Sequence, residues 1–314
     1  MKNYKILATE SFQIPESLEP SIDIDVIDGL WKDHNALIKK AQQYDALIVR
    51  NMTQIDATLM DQLSTIKVIG RLGAGTENID CDHAQKCNIA VVYAPVQNTN
   101  AVAEYCVAQC LNAFRNIPNA INEATQGVWN RGKYLATGKE ISGSNVGVIG
   151  FGHIGKSFAQ KMKALGANVL VYNRTAANIT PPFQQTDLVT LLKKSDIVSI
   201  HLPGGDKTKD FINEENIGFI NKGAYLLNSS RGGVINETAL LSALKSGQIQ
   251  GALLDVRTIE PATADELAQH ENVMVTPHIA AFTQESQTAI SQSIVLDIMK
   301  VLQGEAPLYP VSVA

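Results

Sequence analysis

Residues 146–156, VGVIGFGHIGK, set a short apolar strand directly before three glycines, Gly150, Gly152 and Gly155, and a helix-forming run directly after them. Strand, GxGxxG and helix in this order are the arrangement that holds the pyrophosphate of a dinucleotide. The first glycine allows a tight turn, the second lets the backbone approach the phosphates, and the third lets helix pack close to strand. The helix N-terminus adds unpaired N–H groups and a positive dipole end, which brings the backbone of His153 and Ile154 into the candidate cradle. A glycine turn that serves packing alone is the alternative, and the flanking strand and helix weigh against it.

Downstream the pattern repeats. Apolar runs at 168–172, 196–203, 224–228, 252–256 and 273–276 read as buried parallel strands. Helices are expected at 156–165 and 237–246, the second closed by Gly247. Upstream, strand-like runs at 4–9, 22–26, 46–50, 68–71 and 90–93 alternate with helical segments. Residues 98–116 read as one long helix ending before Pro118, and about 284–301 as a terminal helix that folds back on the first part. The expected architecture is α/β, with two doubly wound parallel-sheet domains. A Rossmann cofactor domain at 97–285 is inserted into a flavodoxin-like catalytic domain made of 1–96 and 286–314.

The 314 residues are 45% apolar and 18% charged, enough apolar material for two cores. A net charge of −5 and the lack of any basic run argue against a nucleic-acid partner, which demands clustered Lys and Arg. The apolar runs are too short to span a bilayer, and the first residues lack a secretory pattern, so a cytoplasmic protein without a membrane partner is expected. The four cysteines, Cys81, Cys87, Cys106 and Cys110, form no CxxC pair. Cys106 and Cys110 lie at helical spacing in an apolar stretch and read as core thiols. Neither a metal site nor a disulfide is expected.

Three positions follow expected strands on the side where open α/β sheets bind ligands. Arg231 stands in NSSRGG (228–233), where Gly232 and Gly233 would let a substrate approach the backbone; its planar fork suits a carboxylate. Glu260 stands in DVRTIEP (255–261), with Pro261 stiffening the chain behind it, and His278 in VTPHIAA (275–281). Carboxylate holder, proton donor and a carboxylate that keeps the donor charged are what reduction of a 2-oxo acid requires. Each residue alone also reads as an ordinary loop or strand-end residue; the order Arg, Glu, His behind the glycine motif is what carries the reading. After the second strand stand Asn173, Arg174 and Thr175, where NAD binders place an acid for the ribose hydroxyls. Asn173 would not repel a 2′-phosphate and Arg174 could clamp one, so NAD and NADP are both open.

Seven segments together, GRLGAGTENID (70–80), NTNAVAE (98–104), GVWNRGKY (127–134), GVIGFGHIGK (147–156), NSSRGGVINE (228–237), GALLDVRTIEP (251–261) and VTPHIAAFTQESQ (275–287), make the chain resemble the D-isomer-specific 2-hydroxyacid dehydrogenases. The 3-phosphoglycerate dehydrogenase branch is the most similar. The resemblance implies that Arg231 binds the substrate carboxylate and carbonyl, His278 is the acid or base at the C2 oxygen, and Glu260 tunes His278. It further implies substrate contact by the backbone of Leu72, Gly73 and Ala74. Asp255, Ser229, Ser230, Arg231, His278 and Ala280 are placed by it on the nicotinamide side, and Leu202 and Pro203 near the adenine ribose. For His201 a structural role is preferred.

In that branch basic residues near the mouth hold a distal phosphate, and Arg50, Arg71 and Arg131 occupy matching segments. The expected reaction is therefore oxidation of 3-phosphoglycerate or reduction of phosphohydroxypyruvate. Leu202-Pro203-Gly204-Gly205 and Asn173 depart from the branch pattern. They keep glyoxylate, hydroxypyruvate or another 2-oxo acid as the nearest competitor. The chain stops at Ala314, where longer members append regulatory domains, so no serine feedback through such a domain is expected. A homodimer is expected from the apolar helix after Asn98. Two other classes compete: a nucleotide-sensing co-repressor with the same fold and triad, and a methyl transferase binding an adenosyl cofactor. The second leaves Arg231, Glu260, His278 and the segment around Leu72 unexplained.

Overall fold

The computed structural model describes residues 3–16, 20–135, 137–174 and 179–312, and divides into two compact units. The first comprises Met1–Asn98 and Phe282–Ala314, the second Thr99–Ala281. The first unit's sheet is built from β1 (Tyr4–Ala8), β2 (Ile22–Val26), β3 (Ala46–Val49), β4 (Val68–Arg71) and β5 (Ala90–Tyr93), with helices α1 (His34–Ala41), α2 (Ala57–Met60) and α3 (Cys81–Lys86) between them. All strands are parallel, in the order β2-β1-β3-β4-β5, the flavodoxin-like doubly wound arrangement. β3, Ala-Leu-Ile-Val, is buried along its whole length, as a central parallel strand covered on both faces must be.

The second unit begins with α4 (Thr99–Arg115) and α5 (Ile117–Thr125). It continues with β6 (Asn145–Ile149), α6 (His153–Ala164), β7 (Asn168–Tyr172), β8 (Gln184–Gln185), α7 (Leu188–Lys194) and β9 (Ile197–Ile200). β10 (Tyr225–Asn228), α8 (Glu237–Lys245), β11 (Gly251–Leu254) and β12 (Val273–Val275) complete it. Its parallel sheet runs β12-β11-β10-β9-β6-β7-β8, so the chain reverses direction between β6 and β9 and opens a crevice at their carboxyl ends. The glycine-rich turn leaves β6 at that point.

α9 (Gln284–Gln303) packs on the first unit's sheet, where Ile290, Ile294 and Ile298 join Ile6, Ile48 and Val92 in one core. It comes so close to β4 that a Cβ on Gly70 would lie 2.6 Å from Ile294 Cγ2.

α4 ends at Arg115, before Pro118 as expected. Asn116, with φ +51, breaks the chain direction, and Pro118 sits in the first turn of the separate helix α5, where its missing N–H costs nothing. The apolar face of α4 is largely covered, because Val102, Cys106, Cys110 and Phe114 are buried in the second unit's own core. Leu111 of α4 is exposed, and further exposed apolar side chains follow at Ile121, Val128, Trp129 and Leu135.

Candidate active site

At the end of β6 the three glycines have separate duties. Gly150 has φ +92, and a Cβ on it would lie 2.4 Å from the His201 carbonyl oxygen. A Cβ on Gly155 would lie 2.1 Å from the Gly150 carbonyl oxygen, so helix α6 can rest on the turn only without a side chain there. At Gly152 a Cβ would meet nothing within 4 Å, so that glycine borders open space. α6 starts at His153, earlier than expected, and Gly152 at its N-cap supplies no side-chain hydrogen bond. The first-turn N–H groups are thus left for another acceptor.

Asn173 accepts the Phe151 N–H through Oδ1 at 3.1 Å, and Arg174 beside it is exposed. Thr175 lies outside the described residues. His201 packs its ring 5.2 Å from that of Phe158 and pairs with Ser199 Oγ at 2.9 Å; burial pushes its pKa down to about 3, which fits the structural role.

The candidate acid–base pair lies on the far strands of the same sheet. His278 Nδ1 and Glu260 Oε2 are 2.8 Å apart. A carboxylate only accepts, so Nδ1 carries the hydrogen and Nε2 is the nitrogen left for other chemistry. Burial opposes ionisation of Glu260. The hydrogen bond and charge of His278, the Arg257 N–H and the nearby Arg231 charge outweigh it and hold the carboxyl below the usual carboxylate range. His278 has φ +55, a left-handed conformation uncommon outside glycine. It is held by its N–H on the carbonyls of Asp255 and Thr276, at 2.9 and 3.0 Å, and by the two N–H groups that follow it. Ile279 N–H donates to Asp255 Oδ1 and Ala280 N–H to Oδ2, at 2.9 and 2.8 Å.

Arg231 is carried by the loop after β10, which Asn228 organises. Asn228 Nδ2 donates to the Arg231 carbonyl, and its Oδ1 accepts from the N–H and Oγ of Ser230.

The second unit matches the sequence model described as "D-isomer specific 2-hydroxyacid dehydrogenase, NAD binding domain" over residues 107–280. The chain belongs to the D-isomer specific 2-hydroxyacid dehydrogenase family. It is 33% identical to a D-3-phosphoglycerate dehydrogenase of Bacillus subtilis (strain 168) over 96% of its own length and 57% of the relative's. A glyoxylate reductase of Thermofilum pendens is 37% identical over 86% of this chain and 82% of that one. The solved structure of the TT0316 protein from Thermus thermophilus superposes with a TM-score of 0.91 at 29% identity, covering 98% of this chain and all of that one. The chain spans little more than half the length of the phosphoglycerate dehydrogenases it matches.

A member of this family takes a nicotinamide dinucleotide, and the end of β6 fits one: open space at Gly152, uncapped helix N–H groups, and no acidic side chain on the turn. Gly152→Ala is expected to leave folding stability within about 0.5 kcal/mol. It should weaken NADH binding by about tenfold, equivalent to ~1.4 kcal/mol. Fluorescence titration reads the affinity and thermal melting the fold; unchanged affinity would place the pyrophosphate elsewhere.

The family motif around Glu260 is held by residues that sequence reasoning missed. Arg257 is 6% exposed. Its Nε and Nη2 reach Glu237 Oε1 and Oε2 at 3.0 and 2.9 Å, and Nη2 also reaches Asp265 Oδ2 at 2.7 Å. Its own N–H donates to Glu260 Oε1 at 3.0 Å, and the Thr258 N–H donates to Glu237 at 2.8 Å. The clamp therefore ties the start of α8 to the turn that aims Glu260. Asp255, read from resemblance as a cofactor contact or else as a strand-end cap, is 1% exposed, with both oxygens on the backbone around His278 and a third bond from Thr276 Oγ1 at 2.6 Å. Thr276 Oγ1 is in turn bonded to the Tyr105 hydroxyl of α4.

Gly232, expected to make room for substrate, instead makes room for protein. A Cβ there would lie 2.0 Å from the Arg257 carbonyl carbon and oxygen, whereas Gly233 borders open space.

Arg50 donates from Nε to the Ser11 carbonyl and from Nη2 to Gln287 Oε1, both at 2.7 Å, and lies over the Phe282 ring. Arg71 Nη1 donates to the Leu72 carbonyl at 2.8 Å. The Leu72 and Gly73 N–H groups donate to the carbonyls of Val49 and Arg71, at 2.9 Å each. Arg131, in the second unit, is exposed. Of the expected core thiols, Cys106 and Cys110 are buried, and burial pushes Cys106 up to about 12, which makes it inert. Cys81 and Cys87 are only partly buried.

Proposed function

We propose that the chain catalyses reversible hydride transfer between a nicotinamide cofactor and C2 of a D-2-hydroxy acid or 2-oxo acid, with 3-phosphoglycerate and phosphohydroxypyruvate as the pair. The observation that carries this reading is the 2.8 Å His278–Glu260 bond, on the same unit as Arg231 and the glycine turn. The bound cofactor supplies or accepts the hydride at C2. His278 Nε2 gives its proton to the ketone oxygen in reduction and takes it back from the C2 hydroxyl in oxidation. Glu260 accepts the Nδ1 hydrogen and holds the ring in that tautomer. Arg231 binds the carboxylate through its fork and polarises the carbonyl.

Asn173 brings no negative charge to the ribose, and Arg174 stands exposed beside it, so NADPH is accepted as well as NADH. The substrate assignment draws on the names of the phosphoglycerate dehydrogenase relatives and on Arg50, Arg71 and Arg131. A second reading, a small acid such as glyoxylate or hydroxypyruvate, is favoured by one observation: Arg50 and Arg71 already spend donors on protein carbonyls.

A homodimer formed through the exposed Ile121, Val128, Trp129 and Leu135 is part of the proposal, and light scattering that returned the mass of one chain would remove it.

The test is loss of reduced-cofactor absorbance with NADH or NADPH against phosphohydroxypyruvate, glyoxylate, hydroxypyruvate and pyruvate. Highest kcat/KM on the phosphorylated acid is expected. Preference for glyoxylate or hydroxypyruvate would establish the second reading. Binding of cofactor with no turnover of any acid would overturn the enzyme and leave a nucleotide-sensing role.

A further inference from the structure

On the first unit three side chains of different metal-ligating type meet, none of them named in the reaction. Asp61 closes α2, His83 lies in α3, and Cys87 follows it by four residues at the C-cap of α3, one helical turn along the same face. Asp61 Oδ1 is 2.7 Å from His83 Nε2 and 3.9 Å from Cys87 Sγ, and one ligand atom from each residue lies within 4.8 Å of the other two.

The two helices are held in place independently of this contact. Asp56 caps α2 through the Leu59 N–H, and Asp80 caps α3 through the His83 N–H. Ile55 and Asp80 are joined by a backbone bond of 2.9 Å, and Ile55 to Asn78 by one of 2.8 Å. The donor atoms are therefore presented on a fixed base. His83 and Cys87 are partly exposed and Asp61 is exposed, so an ion can enter and a water can complete its shell.

One imidazole nitrogen, one thiol sulfur and one carboxylate oxygen form a mixed donor set. Thiolate selects thiophilic ions over Mg²⁺ and Ca²⁺. A tetrahedral Zn²⁺ at bond lengths of about 2.0–2.3 Å spaces its ligands by about 3.3 Å for N and O and about 3.5 Å for S and O. The present 2.7 and 3.9 Å lie either side of those values, and side-chain rotation of about half an ångström brings both to them while drawing together His83 Nε2 and Cys87 Sγ, which lie within 4.8 Å of each other.

We infer that Asp61, His83 and Cys87 form a binding site for one thiophilic divalent cation of the Zn²⁺ class, with water in the fourth position. The ion staples α2 to α3; binding releases the thiol proton of Cys87 and moves the hydrogen that His83 Nε2 gives to Asp61 onto Nδ1, without any redox step. The sequence expectation of neutral thiols is thereby replaced for Cys87. The site was not visible in the sequence because Asp61 stands 22 residues before His83 and only the fold joins them.

The test uses the full chain, reduced and stripped with chelator, titrated with Co²⁺. The expected result is a near-ultraviolet thiolate-to-metal charge-transfer band saturating at one equivalent, visible bands of tetrahedral strength, and displacement of both by Zn²⁺, which also raises Tm. Cys87→Ser should abolish the charge-transfer band, His83→Gln should weaken binding by about tenfold or more, and Cys81→Ser should leave the titration unchanged. No charge-transfer band in the parent protein, or a band that survives Cys87→Ser, overturns the site. The readout is independent of turnover, so its failure says nothing against the proposed reaction.

Discussion

His278→Asn should lower kcat in both directions by about 10²–10⁴-fold, the usual worth of a positioned acid–base group. The cofactor dissociation constant should stay at the parent value. Asparagine tolerates the left-handed backbone that His278 occupies, so the turn bonded to Asp255 survives and the loss reports the missing proton carrier. Glu260→Gln is the companion. It keeps the size of the side chain and an oxygen for the Arg257 N–H, but removes the charge beside the imidazole.

The carboxylate accepts the Nδ1 hydrogen and so leaves Nε2 for the substrate oxygen. A glutamine that keeps its oxygen on the Arg257 N–H turns its amide N–H toward Nδ1 and favours the opposite tautomer, so Glu260→Gln should lower kcat by at least about tenfold while NADH affinity holds. The folded pKa of Glu260 is depressed, so its contribution to stability is complete above the ordinary carboxyl value of about 4.3 and is lost only as pH falls through the lower native value. Parent-like kcat in His278→Asn would remove the residue from the reaction. Parent-like kcat in Glu260→Gln would make Glu260 a packing residue.

What could be read from the chain depended on how local its cause was. The glycine turn is written in six consecutive residues, and the structure gives it the strand and helix that the motif demands. Arg231, Glu260 and His278 were visible because each follows a buried apolar run, and sheet topology carries all such ends to one side. Arg257 was not visible. Its partners stand 20 residues before it and 8 after it, and an arginine in a polar loop looks solvated until tertiary structure buries it. Its only trace is a charge placed directly after buried Val256. β8 escaped for the opposite reason: Gln-Gln is an exposed edge pair with no apolar signal. The end of α4 before Pro118 was legible, but the second helix that Pro118 opens was not, because proline both ends helices and begins them and only the φ of Asn116 decides which.

Gly232 offers the sharpest separation between a glycine kept for a ligand and one kept for the protein. In Gly232→Ala the new methyl must move backbone, since the atoms 2.0 Å away are the Arg257 carbonyl carbon and oxygen and the next, at 2.4 Å, is the Thr258 nitrogen. No rotamer change relieves such a clash, and Arg257 cannot retreat freely while its guanidinium is clamped between Glu237 and Asp265. Overpacking of this kind costs about 1–3 kcal/mol, a Tm loss of a few degrees. The larger effect falls on activity. The loop that moves carries either Arg231 or the turn that aims Glu260, and a displacement of about 1 Å in a positioning group can cost about 10²-fold.

Gly233→Ala is the control one residue on, where a Cβ meets nothing within 4 Å; stability within about 0.5 kcal/mol of the parent and ordinary turnover are expected. Measured well below Tm, with circular dichroism showing both variants folded, Gly232→Ala should lose kcat and raise KM for the acid while NADH affinity holds, because the glycine turn after β6 is not part of the contact. If both alanine variants instead retain stability but lose substrate affinity equally, the pair serves substrate approach, and the loop-to-loop contact does not set the geometry of the site.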